Sequence, residues 1–204
     1  EKVVEKAKAN LSQKIDNLST AQEKAIEWHT LMPRSLSSTN QAILKPQADR
    51  SVIASGKKEK GIYTFTAITS LTNITGVRLE ALSDPQLPSK GPGLAANGNF
   101  VVTEFEVFAA PTDQPESLSK VKIASGTADF LQDGFAIAQA FNGQTNSQQG
   151  WAISSAMGYD HWATFRLEKP VTHEKKTLLT FKIHQFHNAA DHRLRSEEHT
   201  SELQ

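Results

Sequence analysis

The chain has 204 residues, with 22 Lys and Arg against 22 Asp and Glu, 38% hydrophobic residues and no cysteine. That length suits one domain of moderate size plus an appendage, and the balanced charge leaves no electrostatic footprint for nucleic acid or anionic lipid. The absence of thiols excludes a disulfide framework, a thiolate zinc site and a Cys-x-x-Cys-His haem attachment, and no apolar run approaches the length of a membrane span.

The first predicted element is an amphipathic helix ending near Trp28, in a region bounded as residues 1–29. Val4, Leu11, Leu18 and Ala25 recur every seven residues, Ala7, Ile15 and Ile26 fill the same stripe, and neither Gly nor Pro interrupts it. Residues 30–47 read as a linker, because Pro33, Pro46 and the run of Ser35, Ser37, Ser38, Thr39 and Asn40 are loop chemistry.

From there the pattern turns to strands, expected over residues 51–54, 62–69, 74–82, 100–108, 121–125, 135–140, 162–167 and 178–186. Gly and Pro breakers separate them, among them Asp84-Pro85, Gly91-Pro92-Gly93, Asn142-Gly143 and Lys169-Pro170. Val77, Leu79 and Ala81 alternate with Arg78, Glu80 and Leu82, which sets one face of a strand inward and the other outward. Phe100 and Val102 fall out of phase with Phe105 and Val107, as a bulge between them requires. Short strands with no long helix between them predict a mainly β domain, an antiparallel sandwich or jelly roll over residues 48–194.

The last ten residues, RSEEHTSELQ, are encoded by AGA TCG GAA GAG CAC ACG TCT GAA CTC CAG, the start of a common sequencing-library adapter. Residues 195–204 are therefore expected to be an adapter-derived tail that adds nothing to the fold. The chain also starts at Glu1 without Met, and is expected to be a fragment of a longer protein. Removing the tail deletes one Arg and three Glu and leaves 21 basic and 19 acidic residues, still close to neutral.

The segments DRSVIASG at 49–56, ITGVRLEAL at 74–82, GPG followed by NGNFVVTEFEV at 91–107, GWAI at 150–153, and His161 follow one another in an order that resembles a known module. It is the sandwich-type module of the large planctomycete cytochrome c-associated multidomain proteins of unknown function. Leu94-Ala95 stands where that family has Gly-Arg, and Asn142-Gly143 where it often has Asp-Gly. The resemblance implies a discoidin or galactose-binding-like sandwich, an extracytoplasmic location, flanking domains of the parent chain as neighbours, and haem c only elsewhere in that parent. It also implies that a closing strand should follow Leu194, so the sheet is expected to end on an open edge.

Candidate chemistry gathers at the loops. The stretch 84–98 is long and rich in Gly and Pro, and such a loop on a sandwich rim either carries binding residues or shields a sheet edge. Tyr159, His161 and Trp162, with Asn97 and Asn99 from that loop, are the rim candidates for stacking on a sugar ring and hydrogen-bonding its hydroxyls. Trp151 is expected in the core instead. Glu104, Asp129 and Asp133 are candidate ligands for a structural calcium of the kind discoidin-like sandwiches hold, although their spacing does not specify one. His184, His187, Asp191 and His192 do not converge on a strand, which argues against zinc. No nucleophile elbow, phosphate loop or paired-carboxylate pattern stands out. The expected function is a non-catalytic module that binds a glycan or polymer surface. The alternative is a structural spacer that packs flanking domains together and binds nothing itself.

Overall fold

Alternation of inward apolar and outward polar side chains builds the strands in the computed structural model. It describes residues 27–57 and 59–194, and the backbone of 200–203. The amphipathic helix expected over 1–29 lies outside the described residues as far as position 26, and where its end is described the chain is extended instead, from Trp28 to Thr30, in a strand. The chain opens with β1 (Trp28–Thr30), β2 (Pro33–Ser38), β3 (Ala42–Pro46) and β4 (Val52–Gly56). There follow β5 (Gly61–Thr69), β6 (Ile74–Ala81), β7 (Val101–Val102), β8 (Glu104–Pro111), β9 (Ser119–Val121) and β10 (Ile123–Ala128). The last four are β11 (Trp151–Ala152), β12 (His161–Val171), β13 (Thr177–Gln185) and β14 (Thr200–Leu203). Among the described residues there is no α-helix, and the protein is mainly β as expected.

Two five-stranded antiparallel sheets dominate. The first runs β1-β14-β6-β12-β10 and the second β2-β5-β13-β8-β9, while β11-β7 and β3-β4 form two-stranded pairs. Strand β5 shows the alternation cleanly: Tyr63, Phe65 and Ala67 are buried, and Ile62, Thr64, Thr66 and Ile68 are half-buried. Both sheets contribute to one hydrophobic core. Phe105 of the second sheet stacks on Phe165 of the first at 4.5 Å between ring centroids, and Phe65 stacks on Phe181 at 5.1 Å. Each fully buried Phe contributes roughly 1.5–3 kcal/mol of transfer free energy to that core.

The phase slip between Val102 and Phe105 falls at Thr103, where the strand changes partners. Val101 and Val102 pair with β11, whereas Glu104–Pro111 pairs with β13. Thr103 itself donates its N–H to His184 O at 2.8 Å and accepts the Phe186 N–H on its hydroxyl at 3.2 Å, so it ties β8 to β13 where the ladder changes partners. Gly150 lets β11 approach: a Cβ at that position would sit 2.0 Å from Val102 O.

Three expectations differ from the structure. The stretch read as a linker over 30–47 contains β2 and β3, since β2 is an edge strand, where Pro33 can sit first and Ser side chains face solvent while Leu36 packs inward. Residues 135–140 are a 3₁₀ turn over Ile137–Ala140 rather than a strand, because the buried Ile137 and Ala140 are three apart, not two. The edge of β6 is not open. Thr200–Leu203 pairs with it and joins β1 to the sheet. An unpaired edge offers N–H and C=O groups that an extended segment can satisfy through its backbone, whatever its side chains.

Candidate functional site

The rim forms where two loops are clamped together. In loop 84–98, the Asp84 N–H donates to Lys90 O at 3.1 Å, the Gly93 N–H to Gly98 O at 2.8 Å, and Leu87, Leu94 and Ala95 are buried as anchors. The loop joining β11 to β12 meets it through the Gly158 N–H, which donates to Gly91 O at 2.8 Å. A second tie lies beside it, where the N–H and hydroxyl of Ser83 both donate to Asp160 Oδ1 at 2.8 Å. The structure thus brings together the two segments singled out from sequence.

Within that rim the candidate residues separate. Tyr159 is 71% exposed, the largest value among the exposed large hydrophobics. Asn97 is also exposed, with its side-chain oxygen accepting the Asn99 N–H at 3.1 Å. Asn99, in contrast, is buried: its oxygen accepts the Ile153 N–H at 3.0 Å and its amide donates to Gln132 Oε1 at 2.9 Å. It fixes the rim rather than lining it.

His161 is likewise buried, on the inward side of β12. Its Nδ1 lies 2.7 Å from Asp129 Oδ2 and its Nε2 lies 2.6 Å from Ala156 O. Asp129 uses its other oxygen to accept the Trp162 N–H at 2.9 Å, so His161 and Asp129 together lock β12 to the loop after β10. His161 therefore supports the rim from beneath and offers no free nitrogen to a ligand. The next side chain along the strand points the opposite way, which puts the half-buried Trp162 on the solvent side of the sheet.

The three calcium candidates do not meet. Asp129 is engaged with His161 and Trp162, whereas Glu104 lies on the outer face of the other sheet and accepts the Gly143 N–H at 2.9 Å. Among the described residues, no group of three or more His, Asp or Glu side chains is placed to hold a metal ion. His187 and His192 do approach, at 5.2 Å between rings, but His184 turns to Glu106 instead.

Sequence reasoning missed that Glu106 site. His184 Nε2 lies 2.7 Å from Glu106 Oε2, and Lys120 Nζ lies 2.8 Å from Glu106 Oε1. Cross-strand register sets His184 opposite Glu104 and Lys182 opposite Glu106, and Lys182 rests on the Phe108 ring at 4.8 Å. Burial pushes the Glu104 carboxyl above its ordinary value, despite the Gly143 N–H that opposes the shift. Burial also pushes Glu106 up, but its hydrogen bonds with Lys120 and His184 outweigh this and hold it below the usual range. Burial lowers His184. Glu104 Oε2 and His184 Nδ1 are buried with no hydrogen-bond partner. The available signal was that Glu104, Glu106, Lys182 and His184 all fall on one face by period-two counting. Trp151 is in the core as expected, fully buried, edge-on to Phe100 at 4.9 Å, with its indole N–H donating to Phe130 O at 3.2 Å.

No family model, curated protein or solved structure matches the chain.

Proposed function

We propose that the two sheets form a galactose-binding-like β-sandwich and that this module binds carbohydrate or a polymer surface without catalysis. The site is the rim made by loop 84–98 and the Tyr159–Trp162 turn. The observation that carries the reading is Tyr159, which holds an aromatic ring in solvent on a turn tied down on both sides. A phenol face presented in this way stacks on the C–H face of a pyranose, and its fixed support keeps the ordering cost of binding low. Asn97, Lys90 and Ser89, exposed on the clamped loop, supply hydrogen-bonding groups beside it. One stacked ring with two or three hydrogen bonds supports an affinity on the order of 0.1–1 mM. By resemblance, the module belongs to an exported, extracytoplasmic cytochrome c-associated protein whose haem lies in another domain.

A second reading, a structural spacer, is favoured by different residues. Leu87, Leu94 and Ala95 bury much of the loop, and Asn99 and His161 spend their polar groups internally. A glycan-array screen separates the two. Binding in the array supports the rim reading, and no signal for any glycan favours the spacer.

A further inference from the structure

A solvent-facing part of the first sheet carries a feature that shares only Trp162 with the rim. Arg78 projects from β6 with its guanidinium carbon 4.8 Å from the Trp162 ring centroid and 5.7 Å from that of Trp28. Its Nε lies 2.8 Å from Glu80 Oε1, but the N–H does not align on that oxygen, so the contact is an ion pair rather than a hydrogen bond. Across the strand pair, Trp162 stands opposite Glu80 and Thr164 opposite Arg78. Two residues further along β12, on the same side, the exposed Arg166 donates its Nε–H to Ser125 Oγ at 3.3 Å. The Thr127 and Thr164 hydroxyls complete the face, 2.6 Å apart.

Two guanidinium groups share this face with Glu80, and Glu168, further along β12, is held by Lys122 at 2.6 Å. The face thus keeps a positive surplus in a chain whose formal net charge is zero. An arginine already held against indole rings loses little rotamer freedom when it takes an anion, and its planar fork matches carboxylate and sulfate oxygens. An indole beside it offers the apolar plane on which a sugar ring stacks. We propose that this face binds an acidic polysaccharide, with Arg78 and Arg166 taking anionic groups of successive sugars and Trp162, at the Glu80 end of the row, carrying a ring beside Arg78. The inference rests on the glycan-binding reading and adds the class of glycan.

The test is calorimetric titration of the full chain with polygalacturonate, dextran sulfate, uncharged dextran and single-stranded oligothymidylate, each at low and at high salt. The inference expects an anionic glycan to bind at least roughly tenfold tighter than dextran and to weaken with salt. Preference between polygalacturonate and dextran sulfate then tells a carboxylate from a sulfate ligand. Arg166→Ala should lose most of that advantage without changing dextran binding or the unfolding midpoint, and Arg166→Lys should restore part of it. Equal, salt-insensitive binding of dextran and the anionic polymers would overturn the acidic-ligand inference while leaving a glycan module. Equal binding of oligothymidylate would overturn it by showing that charge alone suffices. Binding of no polymer would overturn the acidic-ligand inference, and the glycan array then decides the rim reading on its own.

Discussion

Trp151 and Tyr159 lie eight positions apart and have opposite environments, and the difference predicts opposite mutant phenotypes. Trp151 is fully buried, with its N–H used by Phe130 O, so Trp151→Ala opens a large cavity and leaves that carbonyl without its donor. The expected loss is about 3–5 kcal/mol in chemical denaturation. A loss near zero would mean that the indole is not a core anchor. Glu104 makes a separate prediction about pH. Its folded-state pKa is raised by burial, so the folded protein holds this proton more tightly than the unfolded chain does. Stability from the neutral carboxyl is therefore present at low pH and lost as pH rises from about 4.5 through the folded value. His184 runs the other way, its depressed value costing stability as pH falls below about 6.5. Glu104→Gln isolates the first effect, since the amide keeps an oxygen for the Gly143 N–H but cannot ionise. Its unfolding midpoint should exceed that of the parent at neutral pH, and the gap should close toward pH 4. A constant gap across that range would show that ionisation of Glu104 is not the cause.

At the scale of elements, β6 shows how much the backbone alone can decide. It is paired on one side by β12 and on the other by Thr200–Leu203, through which β1 joins the sheet. Deleting residues 195–204 should speed hydrogen exchange at the β6 amides that face β14, while exchange in β5 and β13 stays unchanged. Unchanged exchange at Gly76 and Arg78 would mean that the pairing contributes nothing. The strands legible in the sequence were those with strict alternation, such as Val77, Leu79 and Ala81 in β6, because period two reports directly on a half-buried sheet. The slip at Thr103 was legible for the same reason. Strand β2 was not, since an edge strand with one apolar residue facing the core has the composition of a loop. The Ile137–Ala140 turn was hidden because two apolar residues three apart look like a strand until their spacing is weighed against burial. At the site, sequence located the two segments of the rim. It did not separate Tyr159 from His161, because alternation assigns a side chain to a face without saying which face is covered.

For the whole molecule, one core is shared by two sheets, and the loops that join the first sheet to the β11-β7 pair meet at the candidate rim. His161, Asp129 and Asn99 support that rim, and Tyr159 belongs to the surface it presents. The central claim is that this surface binds sugar. Its most direct test is an NMR titration of the isotope-labelled chain and of Tyr159→Ala with glycans that score in the array, carried into the millimolar range. The account expects saturable shifts at the amides of Asn97, Gly158 and Tyr159, lost in Tyr159→Ala at an unchanged unfolding midpoint. Binding that is undiminished in Tyr159→Ala, or no shift at any of these amides, would contradict it.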